Sequence, residues 1–314
     1  MTVLDWLLDS DPSIRWQVMR DLTNEPDEVI AAERARVATE GWGARLLALQ
    51  AHNGQWGGGS YHPYWTSTTY TLLTLRDLGV DPNSEQARRA IKLVRDNVQF
   101  QWTETDFKPF FEGEAETCIN GMVVALGSYF GEPSTSLVER LLGEQLVDGG
   151  WNCWAGEAWP GEESTRSSFN TMISVLEGLL EYEKSVAPDP EVTKARVQGH
   201  EYLLERRLFR RLSTGEVIEP EWPKTSDFTR FSFPPWYFYD VLRGLDYLRA
   251  AGVDPEPRID EAIELLVSRR DADGRWPLEN SHPGEVHLEM EAGDNQPSRW
   301  NTLRALRVLK WWER

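Results

Sequence analysis

Two carboxylates on otherwise apolar helical runs mark where chemistry could begin. Glu116 opens the run TCINGMVVALGSYF, and Asp240 opens another directly after the aromatic stretch Trp236, Tyr237, Phe238, Tyr239. A carboxyl in apolar surroundings resists ionisation and can be kept protonated, the state from which it delivers a proton. If ionised instead, it needs a cation, and Arg166, Arg230 and Arg299 are the candidates. Phe231 and Phe233 extend the aromatic stretch, and Phe107, Phe110 and Phe111 form a second group ahead of Glu116. Ring faces of this kind stabilise a developing positive charge, and they also simply pack.

The elements that must position these groups are read from spacing. Tyr70, Asn120, Asn170, Asp240 and Asn301 fall at one common point when the apolar runs are aligned on their leucines, for example Leu72, Leu75, Leu78 and Leu303, Leu306, Leu309. The intervals leave room for two helices and two loops each, so one repeat is one helical hairpin. Residues 134–147 alternate apolar and charged faces, the pattern of a helix with a solvent side, whereas residues 117–130 carry no charge at all and must be buried all round. Six inner helices are predicted, near 12–22, 65–79, 116–130, 166–182, 236–251 and 297–312, with more polar partners outside them. The first has Asp11 as N-cap and Pro12 at its opening position. Exits such as Leu78-Gly79-Val80-Asp81-Pro82 stop helices with a left-handed glycine followed by proline.

The expected class is therefore all-α, and six all-round apolar inner helices need neighbours on both sides, which a closed barrel supplies. The chain 1–314 reads as a single domain, since no linker is evident. Irregular stretches fall at 102–114, 185–190, 213–235 and 280–297, and three of these four lie directly before an inner helix, where ligands are commonly met. With the N-termini of inner helices at one rim, the anchors and the residues one turn earlier form a polar mouth: Tyr70 with Thr66, Asn120 with Glu116, Asn170 with Arg166, Asp240 with Trp236, Asn301 with Pro297. Tyr237 joins this group. The competing use of these side chains is to cap helix ends and tie repeats together.

Composition excludes several classes. The 51 acidic residues against 33 basic ones leave a formal charge of -18, which repels nucleic acid and anionic lipid. No apolar run reaches the ~18 residues of a spanning helix, and no cationic leader opens the chain. Cys118 and Cys153 are too few for a disulfide framework, which points to a reducing cytoplasm. Oligomeric state is not legible.

Three copies of one turn carry a resemblance: QAHNGQW (Gln50, Gly54, Trp56), QLVDGGW (Gln145, Gly149, Trp151) and RDADGRW (Arg270, Gly274, Trp276). They resemble the QxxxGxW repeats of the squalene-hopene cyclase and protein prenyltransferase β-subunit superfamily. That resemblance implies an (α/α)6 toroid of inner and outer helix rings whose central cavity takes an apolar, isoprenoid-like ligand. It implies acid-initiated cyclisation or isomerisation, with Asp240 or Glu116 as catalytic residue and Tyr70, Asn120, Arg166, Asn170, Trp236, Tyr237 and Asn301 about the ligand. The chain departs from the family in lacking DxDD, DDxxD and the zinc-binding DxC pair. No cofactor is expected, although a zinc site from Cys118, Cys153 and His282 or His287 stays open beside the reading of buried thiols and surface imidazoles. Asp271 and Asp273 belong to the third tryptophan turn, and His52 and His62 read as loop imidazoles. Two alternatives remain: a non-catalytic ligand-binding or interaction module on the same scaffold, and a carbohydrate-active (α/α)6 barrel using Glu112, Glu114, Glu116 and Asp240.

Overall fold

The computed structural model describes residues 1–101, 106–153, 164–219 and 227–314; positions 102–105 and 220–226 of the irregular stretches lie outside the described residues. Thirteen α-helices are found among the described residues: α1 Val3–Leu8, α2 Pro12–Val18, α3 Asp27–Ala35, α4 Gly41–Ala48, α5 Thr68–Leu78, α6 Glu85–Asn97, α7 Thr117–Phe130, α8 Thr135–Gly143, α9 Phe169–Ser185, α10 Pro190–Glu205, α11 Val241–Ala250, α12 Asp260–Ser268 and α13 Arg299–Trp312. Two short antiparallel ribbons, β1 Gln99–Gln101 with β2 Phe107–Pro109 and β3 Trp276–Pro277 with β4 Pro297–Ser298, are the named strands. The class is all-α, as the hairpin repeats predict, and consistent with the toroid expectation. The six predicted inner helices are α2, α5, α7, α9, α11 and α13. No helix of the described residues is long and apolar enough to cross a membrane.

Contacts gather the chain into two compact units. The first comprises Met1–Leu46, Asp77–Asp81 and Leu203–Arg314, the second Leu47–Arg76 and Pro82–Tyr202.

In the second unit α7 shows what an uncharged helix must do. Every residue from Thr117 to Phe130 is buried except Tyr129. Its neighbour α9 approaches so closely that a Cβ on Gly121 would lie 2.7 Å from the Val175 amide nitrogen, and one on Gly178 would lie 2.3 Å from the Gly121 carbonyl oxygen. Only glycine admits two backbones at that distance. By contrast α6 buries Ala87, Ala90, Ile91 and Val94, one face of a helix, and leaves its charges to solvent. Ser84 caps it, its Oγ accepting from the Ala87 amide at 3.2 Å.

The tryptophan turns explain their own residue types. Gly54 and Gly149 adopt φ of 84° and 94°, a region that favours glycine. Gln145 Nε2 donates to the Gly149 carbonyl within its turn and to the Ala195 carbonyl of α10, both at 2.8 Å. Gln50 does the same with Gly54 and with Ala90 of α6, at 3.0 and 2.9 Å. The amide thus locks the turn and ties it to the following outer helix. Trp151 is fully buried with its indole N–H donating to the Leu141 carbonyl at 2.7 Å. In the first unit Trp276 repeats this with Leu266, also at 2.7 Å, while Arg270 stands over the Trp276 ring in place of the glutamine contact. Asp271 accepts from the Asp273 and Arg275 amides, the turn role expected of it.

The first unit brings α2 and α13 side by side. Asp11 caps α2, accepting from the Ser13 amide at 2.9 Å. The helix continues as a π-turn over Met19–Thr23 and ends at Asn24 with φ 53°. Against it packs α13. Arg307 binds Asp246 of α11, Asp21 and the Gln17 side chain, and Lys310 donates to the Asp21 carbonyl at 2.7 Å. Asp246 also meets Arg249 and Arg304, and these cations hold its carboxyl well below the usual carboxylate range although burial opposes this.

Candidate functional site

The described chemistry concentrates at the start of α7, in the second unit. The chain enters this helix through a 3-10 turn, Phe110–Glu112, and Gly113 at φ 74°. Asn120 is fully buried and clamps the entering strand: its Oδ1 accepts from the Glu114 amide at 2.9 Å and its Nδ2 donates to the Glu114 carbonyl at 3.0 Å. From α8, Arg140 donates to the Glu114 and Ala115 carbonyls, each at 2.7 Å, and pairs with Glu144. The loop is therefore fixed before any ligand arrives.

On this frame stand two carboxyls. Glu114 is buried and accepts from the Glu116 amide at 2.8 Å; burial nonetheless raises it to about 7. Glu116 is half-buried at the N-cap position of α7, and burial raises it too, against the Cys118 hydrogen bond and the His62 charge. The Cys118 thiol donates to Glu116 Oε2 at 3.6 Å. Cys153, two residues past the Trp151 turn, reaches the same place and contacts Thr171 Oγ1 of α9 at 3.1 Å. One ligand atom each of Glu116, Cys118 and Cys153 lies within 4.8 Å of the others. The adjacent Cys153 thiol and burial push the Cys118 thiol well up. A carboxylate and two thiols at this separation are a donor set for a borderline divalent cation such as zinc.

An aromatic cluster lies within electrostatic range of Glu116. Tyr70 is buried, its hydroxyl donates to the Tyr61 hydroxyl at 2.7 Å, and the two rings lie 5.2 Å apart. Trp65 meets Tyr70 edge-on at 4.8 Å, and His62 and Tyr64 continue the cluster at 4.8 Å from one another. Burial raises both tyrosines strongly, and the negative charge of Glu116 adds to this. Of the other predicted residues in this unit, Arg166 is exposed, with its carbonyl accepting from the Asn152 side chain, and Asn170 is half-buried at the opening of α9.

Asp240 has a different place. It is 1% exposed and caps α11 in the first unit, one oxygen accepting from the Arg243 amide at 2.8 Å and the other from the Ser232 amide and hydroxyl, each at 3.1 Å. A carboxylate receiving three hydrogen bonds is held as an anchor. The Arg243 guanidinium next to it donates to the Trp236 and Phe238 carbonyls, so Trp236, buried at φ 45°, and half-buried Tyr237 belong to a fixed loop. Asn301 is another buried staple, donating to the Pro277 and Phe231 carbonyls at 3.0 and 3.3 Å. The candidate cations go elsewhere: Arg230 to the Glu279 carbonyl, Arg299 to the Trp6 and Asp9 carbonyls. His282, weighed as a zinc ligand, is buried in the first unit and stacked on Phe238 at 4.2 Å, and burial lowers it to about 3. The side chain that meets the two cysteines is that of Glu116. Spacing gave no sign of this, except that Glu116 and Cys118 share the first turn of one helix; Tyr61 and Trp65, just ahead of α5, were likewise missed.

No family model and no curated protein matches this chain. Among solved structures the chain is similar to a protein from Actinoplanes, at 16% identity and TM-score 0.43 over 97% of this chain and 91% of that one. It is also similar to the type II terpene cyclase MstE from Scytonema, at 16% identity and TM-score 0.42 over 95% and 86%. A glycosyl hydrolase family 88 protein from Bacteroides vulgatus gives 13% identity and TM-score 0.48 over 99% and 90%.

Proposed function

We propose that the chain is a squalene-cyclase-like toroid protein whose second unit takes an apolar, isoprenoid-like small molecule against the wall of Tyr61, Trp65 and Tyr70, with Glu116 as the group that transfers a proton to it. One observation carries this reading: a half-buried carboxyl without an arginine or lysine partner among the described residues stands close enough to Tyr61 and Tyr70 of an aromatic cluster for its charge to act on both hydroxyls. Ring faces shield positive charge on a hydrocarbon chain, and a carboxyl at their edge starts it. Arg166 and Asn170, at the approach to α9, are the polar contacts for the ligand's head group. Asp240 leaves the role of acid, because its oxygens are engaged in capping.

The test is turnover of polyprenyl alcohols and diphosphates by the purified protein and by Glu116→Gln, together with mass spectrometry of small molecules that co-purify. Loss of product formation in the variant at unchanged melting temperature is expected. A variant as active as the parent would refute the assignment. A protein with neither turnover nor a retained lipid would favour the interaction module.

A further inference from the structure

Glu116 poses an electrostatic problem that no arginine or lysine among the described residues answers. It is half-buried, and its side-chain partner among the described residues is the Cys118 thiol, not a cation; Arg140 of the same frame is engaged by Glu144 and two carbonyls. Once ionised, a carboxyl in such a place requires positive charge from somewhere. Directly beside it are two buried thiols, contributed by parts of the chain 35 residues apart in sequence and brought within 4.8 Å of each other and of the carboxylate. Isolated buried cysteines act as small apolar groups and need no such convergence.

We infer that Glu116, Cys118 and Cys153 form a binding site for a single divalent transition-metal ion of the zinc class. The donor set is right for it: thiolate sulfur and carboxylate oxygen bind zinc at about 2.3 and about 2.0–2.2 Å, and three donors mutually within 4.8 Å can share one ion with small side-chain rotations. The scaffold is right as well. Two donors sit on the first turn of α7, whose entry is fixed by Asn120 and Arg140, and the third follows the locked turn of Gln145 and Trp151. Cys153 already has a neighbour to orient it in Thr171. Three protein donors is the number of zinc sites that keep a position for a ligand, whereas purely structural sites use four. The groups facing the site are Glu114, His62, Tyr61 and Tyr70, none of which supplies a permanent positive charge.

The inference uses the same site as the proposed function and goes beyond it. A metal-bound Glu116 is not a proton donor, so the loaded protein would be silent in the polyprenyl assay while the metal-free protein would not. The experiment therefore reads the metal itself. Untagged protein, purified under reducing conditions and stripped with chelator, is titrated with cobalt(II) and followed by the thiolate-to-cobalt charge-transfer absorption. We expect saturation at one ion per chain, displacement by zinc, loss of the band in Cys118→Ser and Cys153→Ser, and at least tenfold weaker binding in Glu116→Gln. Circular dichroism identifies any variant that fails to fold, and Glu116→Gln, at a half-buried surface position, keeps the test alive if both serine variants do. No charge-transfer band in the parent protein, or an unchanged cobalt affinity in Glu116→Gln, overturns the site. A cobalt band without polyprenyl turnover by the metal-free protein would leave the site standing and remove only the proton-transfer reading.

Discussion

Gln145 offers the sharpest test of why the tryptophan turn is written as it is. Replacing it by Met keeps length and volume and removes one side-chain amide that donates to the Gly149 and Ala195 carbonyls, each at 2.8 Å. A neutral hydrogen bond contributes about 0.5–1.5 kcal/mol net, so two amount to about 1–3 kcal/mol. The Ala195 carbonyl lies inside α10 and is suited to its helical partner, whereas the Gly149 carbonyl belongs to a turn and loses more, which favours the middle of that range. For about 2 kcal/mol the midpoint of thermal unfolding should drop by roughly 3 °C, since an unfolding entropy of about 2.1 cal/mol/K per residue over 314 residues gives about 1.5 °C per kcal/mol. Urea denaturation of Gln145→Met beside Gln198→Met measures it, since Gln198 is an exposed residue of the same α10 and should change stability by no more than about 0.5 kcal/mol. If the two variants unfold alike, the glutamine does not hold the turn to the outer helix, and the physical account of the repeat is wrong.

Two further outcomes follow from buried charge. Asp246→Ala strands Arg307 and Arg304, which are 13% and 6% exposed at their side chains, and should cost about 3–5 kcal/mol, with much of it recovered in a double variant that also replaces Arg307 by Met; a loss below about 1 kcal/mol in urea denaturation would deny the network its role. Glu291 accepts from the Ser298 hydroxyl and the Trp300 amide, yet burial raises it to about 7 from 4.5. Its folded form holds the proton more tightly, so the stability it lends is complete below about 4.5 and lost as pH rises through 7. The difference in unfolding free energy between parent and Glu291→Gln should therefore shift over pH 5–8 by up to about 3 kcal/mol, at about 1.4 kcal/mol per unit. Parallel curves would contradict it.

What the sequence made legible was whatever is local. The charge-free run before Phe130, the Asp11-Pro12 cap and the Gly-Pro exits all act within one or two turns of helix, so α2, α7 and their companions stood close to where periodicity put them. The hairpin repeat was visible because its three turns use the same backbone geometry. The site was only half legible. Glu116 stood out as a carboxylate on an apolar helix, and Asp240 stood out for the same reason, but one stands beside two thiols and the other caps α11. The difference lies in Ser232, eight residues away, and in the Arg243 amide, which no spacing rule weighs. Asn120 and Asn301 looked like ligand contacts and are staples, because an amide can clamp a neighbouring carbonyl as readily as it can meet a substrate. Cys153 reaches Cys118 through tertiary packing of the Trp151 turn, a contact with no local signature.

The first unit is assembled from segments far apart in the chain, with α13 completing the packing of α2. During synthesis, then, the opening hairpin has no finished home: Ile14, Trp16 and Val18, all buried in the final structure, await a helix made some 280 residues later. The second unit, by contrast, is complete once residue 202 has emerged. Early apolar surface of this kind is the sort that aggregates or recruits chaperones, so deletion of α13 should trap the newborn protein with the buried face of α2 uncovered.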